Sequence, residues 1–386
     1  MSRSGVTAAA GFRAAGVAAG LKSNGGPDVA VVINDGPRSA AAGVFTANRV
    51  KAAPVLWSEQ VLTGGAVRAV VLNSGGANAC TGPAGFQDTH ATAEHLAELV
   101  GCGAGEIAVC STGLIGARLA MTSLLDGVDK AVTSLSELGG DDAADAICTT
   151  DTHRKESVRT SRGVTVGGMA KGAGMLAPAL ATMLCVLTTD AVADAATLDH
   201  VLRDAVRTTF DRLDTDGCMS TNDTVLLLAS GASGIALDEA ELATLVTQVC
   251  DDLAQQLLDD AEGADKRILI EVNGAASEDE ALTVGRAVAR SNLLKCAVHG
   301  ADPNWGRVLA AVGTTGARFE PDQIDVAFNG VQVCRSGAIG DDRSLVDLTG
   351  REVVIAIDLK AGDASASLRT TDLTAAYVHE NSAYST

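Results

Sequence analysis

The stretch GGMAKGAGMLAPALATMLCVLTTD, from Gly167 to Asp190, decides how this chain is read. A lysine, Lys171, sits among glycines, an apolar loop containing Pro178 follows, and Thr182 opens the run TMLCVL. Between Gly172 and Thr189 no residue is charged, so the segment approaches membrane length. Two glycines, Pro178 and three threonines nevertheless make it a poor spanning helix. A buried strand approached through a tight loop fits better, with glycines permitting close backbone approach. Thr182 then lies where loop meets strand, near flexible backbone and a cation. On spacing alone it reads as an ordinary strand threonine.

Similar runs recur outward in both directions. Strands are expected at Val29–Ile33, Val67–Leu72, Ile107–Cys110, Val164–Val166, Thr182–Leu187, Val225–Ala229 and Ile268–Val272, then at Val308–Val312, Ile324–Phe328, Val353–Ile357 and Ser367–Arg369. Most are continuous Val/Ile/Leu runs, as expected of strands covered on both faces. Apolar spacing near 3.6 predicts helices over Phe86–Val100, Ala120–Leu138, Leu198–Leu213, Glu239–Leu258 and Glu278–Leu294. The fold class is therefore α/β or α+β, a sandwich of sheets covered by helices. No linker, charge run or repeat marks a domain boundary.

Composition narrows function. Asp and Glu outnumber Lys and Arg 48 to 29 for a net charge of −19, which disfavours nucleic acid as a partner. The aromatics are too few for a base-stacking platform. Nine cysteines, none with C-x-x-C spacing, suggest neither a zinc ribbon nor a redox dithiol and suit a reducing cytoplasm, most of them as apolar filler. The Ala-rich N-terminus is interrupted by Arg13 and Lys22, so it offers no clean signal-peptide core. A soluble cytoplasmic protein, bound to no membrane, is expected. There is no P-loop, no G-x-S-x-G elbow and no His pair at metal-helix spacing, and KGAGM is a weak dinucleotide signal.

Several strings, in order along nearly the whole chain, resemble the glutamate N-acetyltransferase (ornithine acetyltransferase) family of arginine biosynthesis. They are GFRAAGVAAGLK (Gly11–Lys22), GVFTANRVKAAPV (Gly43–Val55), LNSGGANACTG (Leu72–Gly82), STGLIG (Ser111–Gly116), TTDT (Thr149–Thr152) and KGAGMLAPALATML (Lys171–Leu184). The second half adds STNDT (Ser220–Thr224), EGADK (Glu262–Lys266), HGADPNWGR (His299–Arg307) and NSAYST (Asn381–Thr386). The resemblance implies an N-terminal-nucleophile-like fold of two interlocked halves. It also implies self-cleavage between Ala181 and Thr182 into chains 1–181 and 182–386, usually assembled as an α2β2 heterotetramer.

The same resemblance makes Thr182 the nucleophile and Thr112 and Gly113 the oxyanion donors. Substrate binding falls to Thr149, Lys171, Thr182, Glu262, Asn381 and Thr386. The implied substrates are acetylornithine and glutamate, with acetyl-CoA as a second acetyl donor in bifunctional members and no metal or organic cofactor. A freed α-amine, whose ordinary pKa is about 7.7–8.0, can serve as the base for its own hydroxyl, so no separate histidine is needed.

Each residue also has a bland reading. Thr112 and Gly113 can be a strand-end turn, Lys171 and Glu262 surface ion-pair partners, and Thr386 a frayed terminus. Gly76, Ala261 and Asp265 depart from the residues usual in the family, which touches substrate positioning more than the reaction. Two other functions fit a similar scaffold: a self-cleaving aminopeptidase or amidase, and a non-catalytic small-molecule binding protein.

Overall fold

A computed structural model describes residues 3–175 and 183–383. Two sheets pack face to face at its centre. The first runs in the order β1 (Phe12–Val17), β2 (Val29–Asn34), β4 (Ala69–Asn73), β5 (Ile107–Ser111). The second runs β3 (Ala40–Phe45), β9 (Thr224–Ala229), β8 (Leu184–Thr189), β7 (Val164–Lys171), β6 (Lys155–Ser161). Each sheet has one parallel pair, β4 with β5 and β8 with β9, and is otherwise antiparallel.

Alternation within these apolar strands assigns each side chain to a layer. Val32, Leu72 and Cys110 point from the first sheet toward Met169, Val186 and Leu226 of the second, forming one shared interior. The neighbouring residues Val31, Val71 and Val109 face the opposite way, onto α2 (Gly82–Val100) and α3 (Met121–Thr133). On the far side Cys185, Leu187 and Leu227 meet α5 (Ala195–Thr208) and α6 (Glu239–Asp259). The result is a helix–sheet–sheet–helix sandwich, with continuous Val/Ile/Leu strands because both faces are dry. Helices α1 (Ala53–Leu62) and α4 (Gly140–Ile147) close its flanks; α4 is only eight residues long and its buried face is built almost wholly of Gly and Ala, which the sequence reading passed over.

A third sheet, β13 (Ala338–Ile339), β12 (Val331–Arg335), β11 (Asp325–Phe328), β14 (Glu352–Asp358), β10 (Arg267–Ala275), β15 (Ala364–Thr371), is covered on one face by α7 (Glu278–Ala289), α8 (Asn292–His299) and α9 (Trp305–Val312). Its strands alternate: β10 and β14 bury every second residue. The expectation of strands covered on both faces therefore holds for the two central sheets and not for this one. α10 (Ala375–Ala383) ends the described chain.

Four predicted elements differ: the helix expected over Ala120–Leu138 stops at Thr133, the one over Leu198–Leu213 stops at Thr208 ahead of a short 3-10 turn, and two further elements change type or break. Val308–Val312 is the end of a helix, because Asn304 caps it by accepting from the Arg307 N–H at 3.2 Å; a short apolar run cannot tell helix from strand. The helix predicted over Glu278–Leu294 breaks into α7 and α8, where Ser291 opens a second helix by accepting from the Leu294 N–H. Cys110, Cys185, Cys250 and Cys334 are buried as expected, but Cys80, Cys218 and Cys296 are exposed. No described helix is long and apolar enough to cross a membrane.

The shared interior makes a checkable demand on stability. Leu226→Ala, between the central sheets, should cost about 2–5 kcal/mol in chemical denaturation. Leu293→Ala, at a position 67% exposed, should leave the midpoint almost unmoved.

Candidate active site

At one end of the two central sheets, four segments converge. β4 and β5, parallel neighbours, deliver the loops 74–79 and 112–116 side by side. The loops are joined by backbone bonds from Gly76 N to Thr112 O (3.0 Å), Ala77 N to Leu114 O (3.1 Å) and Gly116 N to Ala79 O (2.9 Å). The segment before β9 docks against them: the Asn222 amide donates to Ala77 O at 2.6 Å and Ser111 O at 2.8 Å. The end of β7 supplies Lys171. Between them opens a cavity of ≈ 380 Å³ whose walls include Thr112, Gly113, Thr149, Lys171, Glu262 and Asn381. All six candidate residues within the described structure therefore share one cavity, although 269 positions separate Thr112 from Asn381 (381 minus 112). Ala181, Thr182 and Thr386 lie outside the described residues.

Gly113 has φ +124°, which L side chains rarely adopt, and a Cβ there would come within 2.9 Å of the Gly76 nitrogen. Glycine is thus required for the loop to pass so close. Among the described residues nothing accepts from the Gly113 N–H. Thr112 spends its backbone on Asn73 and Gly76, while its hydroxyl oxygen accepts from Lys171 Nζ at 3.4 Å. That hydroxyl proton remains free to donate. One N–H and one O–H side by side form the donor pair that a tetrahedral oxyanion needs.

Lys171 is only 2% exposed, and burial pulls its ammonium below the ordinary lysine range while Asp151 opposes the shift. Glu262, which also lines the cavity, is held by the Thr150 hydroxyl (2.8 Å, Oε1) and the Asn381 amide (3.0 Å, Oε2). A cation and an anion thus line one cavity. Lys171, buried, is not the surface ion-pair partner of the bland reading. Thr149 donates its N–H to Asp151 at 3.0 Å, and with Thr150 it lines the same cavity.

Two carboxylates flank the gap in the described chain. Asp216 accepts the Met175 N–H at 2.7 Å and Asp223 accepts the Met183 N–H at 3.0 Å. Burial pushes Asp223 well above the usual carboxylate range. Neither Asp, nor Asn222, nor Asp151 was singled out from the sequence. Asp223 and Asn222 stand inside STNDT and Asp151 inside TTDT, so the strings held the signal, but their partners come from distant segments.

One set of metal-ligand types is found among the described residues: Asp265, His299 and Asp372, with ligand atoms within 4.8 Å of one another. His299 Nδ1 already meets Asp372 at 2.9 Å and Asp265 at 3.4 Å, and Asp372 accepts the Asp265 and Lys266 N–H groups. These atoms satisfy one another as a hydrogen-bonded link between the 265–266 segment, α8 and the strand leading to α10.

A backbone N–H and a hydroxyl beside a buried cation suit acyl transfer, and the relatives are acyltransferases. The sequence profile of the ArgJ family matches residues 13–386. Arginine biosynthesis bifunctional protein ArgJ of Streptomyces avermitilis is 69% identical over 380 residues, covering 98% of this chain and 99% of that protein. The protein of the same name from Mycobacterium leprae is 59% identical over 389 residues, 99% of this chain and 96% of its own. A crystal structure of ornithine acetyltransferase complexed with ornithine, from Mycobacterium tuberculosis, is 56% identical over 48% of this chain and 98% of that one, with a TM-score of 0.43. The chain belongs to the ArgJ family.

The donor pair predicts a specific kinetic defect. Thr112→Ala should slow acyl transfer about 10²–10³-fold in kcat while the thermal midpoint barely changes, as read by steady-state kinetics and calorimetry. A wild-type kcat would remove Thr112 from the oxyanion site.

Proposed function

We propose that the chain transfers an acetyl group from N2-acetyl-L-ornithine to L-glutamate through an acetyl ester on Thr182, in arginine biosynthesis as its relatives' names state. The convergence of Thr112, Gly113, Lys171 and Glu262 on one cavity, which Met175 also lines, carries this reading. The chain first cleaves itself between Ala181 and Thr182, giving an α chain of residues 1–181 and a β chain of residues 182–386. The division is a chemical cut within one interlocked fold, so no linker is needed.

The chemistry then follows from the groups present. The α-amine freed at Thr182 takes the proton of the Thr182 hydroxyl as Oγ attacks the acetyl carbonyl. Negative charge develops on the carbonyl oxygen and is met by the Thr112 O–H and the Gly113 N–H, with Lys171 adding positive potential. As the tetrahedral intermediate collapses, the C–N bond breaks, the ammonium at Thr182 returns its proton to the leaving nitrogen, and ornithine departs. Glutamate's neutral amine attacks the ester by the reverse sequence, giving N-acetyl-L-glutamate and free Thr182. The two cavity charges suit zwitterionic amino acids, with Thr149, Asn381 and Thr386 completing the contacts. Acetyl-CoA enters the same cycle as an alternative donor, no metal or organic cofactor takes part, and the working form is a cytoplasmic α2β2 heterotetramer.

Mass spectrometry of the purified protein tests the activation step. Two chains with Thr182 as the new N-terminus are expected, and Thr182→Ala should leave a single chain without transferase activity. A wild-type protein that stays uncut yet transfers acetyl groups would overturn the mechanism. Hydrolysis of acetylornithine with no dependence on glutamate would favour an amidase, and binding without turnover a non-catalytic protein.

A further inference from the structure

Behind the cavity wall lies a set of buried charges that the chemistry above does not use. Lys155, the first residue of β6, is fully buried and places Nζ 2.6 Å from Asp151 Oδ1 and 2.6 Å from Asp260 Oδ2. Asp151, equally buried, also accepts the Gly172 N–H at 2.7 Å and the Thr149 N–H at 3.0 Å. Asp260 accepts the Thr152 N–H at 3.0 Å. Lys171, by contrast, meets no carboxylate of the described residues within 4.0 Å, and its one hydrogen bond among them is the 3.4 Å contact to Thr112. Asp151, Asp260 and Lys155 carry a net charge of −1, with the half-exposed His153 imidazole 3.6 Å from Asp260, and the Lys171 ammonium offsets that charge. Uncompensated buried charge is costly, so the set favours the ammonium form.

We propose that Asp151 and Asp260, bridged by Lys155, are positioning residues for acyl transfer: Asp151 holds the backbone at Thr149 and Gly172, Asp260 holds it at Thr152, and together they keep the Lys171 ammonium in place at the cavity wall beside Thr112. This rests on the acyl-transfer reading of the site. Burial acts against the ammonium of Lys171, and Asp151 is the foremost group opposing it. Cys148, at the end of α4, contributes little charge because burial pushes its thiol up to about 12. Asp223, before β9, is pushed toward its neutral form, and Lys155 and Lys22 repel. Asp151 itself stays ionised. Burial would raise it, but Lys171, Lys155 and the Gly172 N–H outweigh burial and draw it down to about 2.

The sign of the effect separates charge control from mere scaffolding. Transfer needs Lys171 protonated, so activity falls on the alkaline side as that proton is lost. Removing the negative charge in Asp151→Asn should move this alkaline limb of kcat/KM to lower pH, by about 1 unit or more. Lys155→Met, which removes a repelling cation and leaves Asp151 in place, should move it to higher pH. A scaffold role would lower kcat in both variants without moving the limb in opposite directions. Where Asp151→Asn does not fold by circular dichroism, Asp260→Asn, one side chain more distant, should shift the limb the same way by less. Folded variants whose limbs superimpose on that of the wild type overturn the proposal. A wild-type protein with no acetyl transfer at any pH overturns the acyl-transfer reading instead.

Discussion

Asn222 ties the two central sheets together where it matters most. Its side-chain amide, buried, reaches from the segment leading into β9 to the carbonyls of Ala77 and Ser111 on the loops after β4 and at the end of β5. An unpaired carbonyl in that dry seam would cost about 1–3 kcal/mol, so the two bonds set the spacing of the sheets as well as closing a gap. Thr112 follows Ser111 directly. Its hydroxyl, the Gly113 N–H and Lys171 at the end of β7 therefore hold their relative places only while this seam is intact.

The same end of the sandwich gathers the charges a strongly acidic protein otherwise lacks. With a net charge of −19 the protein as a whole is strongly negative, so positive potential at the cavity has to be local. Lys171 supplies it in a setting where low dielectric magnifies each charge. Glu262, lining the same cavity and bonded to Thr150 and Asn381, makes it bipolar rather than simply cationic. α10, which brings Asn381, is fixed at its approach by Asp372, the acceptor for Asp265, Lys266 and His299. The string HGADPNWGR thereby gains a structural role through its first residue.

How much of this the sequence made legible depends on where each partner lies. The strands β2, β4, β5, β8 and β9 read correctly because burial on both faces leaves continuous runs such as VAVVI and VLLLA. The edge strands β1, β3 and β6, only partly buried, were missed; β10 and β14, wet on one side, alternate. The run Val308–Val312 was ambiguous because its helix signal is a cap three residues before Arg307, outside the run itself. Thr112, Gly113, Lys171, Glu262 and Asn381 were reachable only through the family resemblance, since no local spacing distinguishes them from turn and ion-pair residues. Asp151, Asp223 and Asn222 were missed inside the very strings that carried the resemblance. Their importance arises from partners such as Gly172, Met183 and Ser111, which only the fold brings near.

The central claim is that acyl groups pass through Thr182. The most direct measurement is to mix the processed enzyme with acetylornithine in the absence of glutamate, quench in acid and analyse the peptide that begins at residue 182. One added acetyl group on Thr182, discharged when glutamate is supplied before quenching, is the predicted result. An unmodified Thr182 peptide from enzyme that is turning over, or an acetyl group that glutamate does not remove, would contradict it.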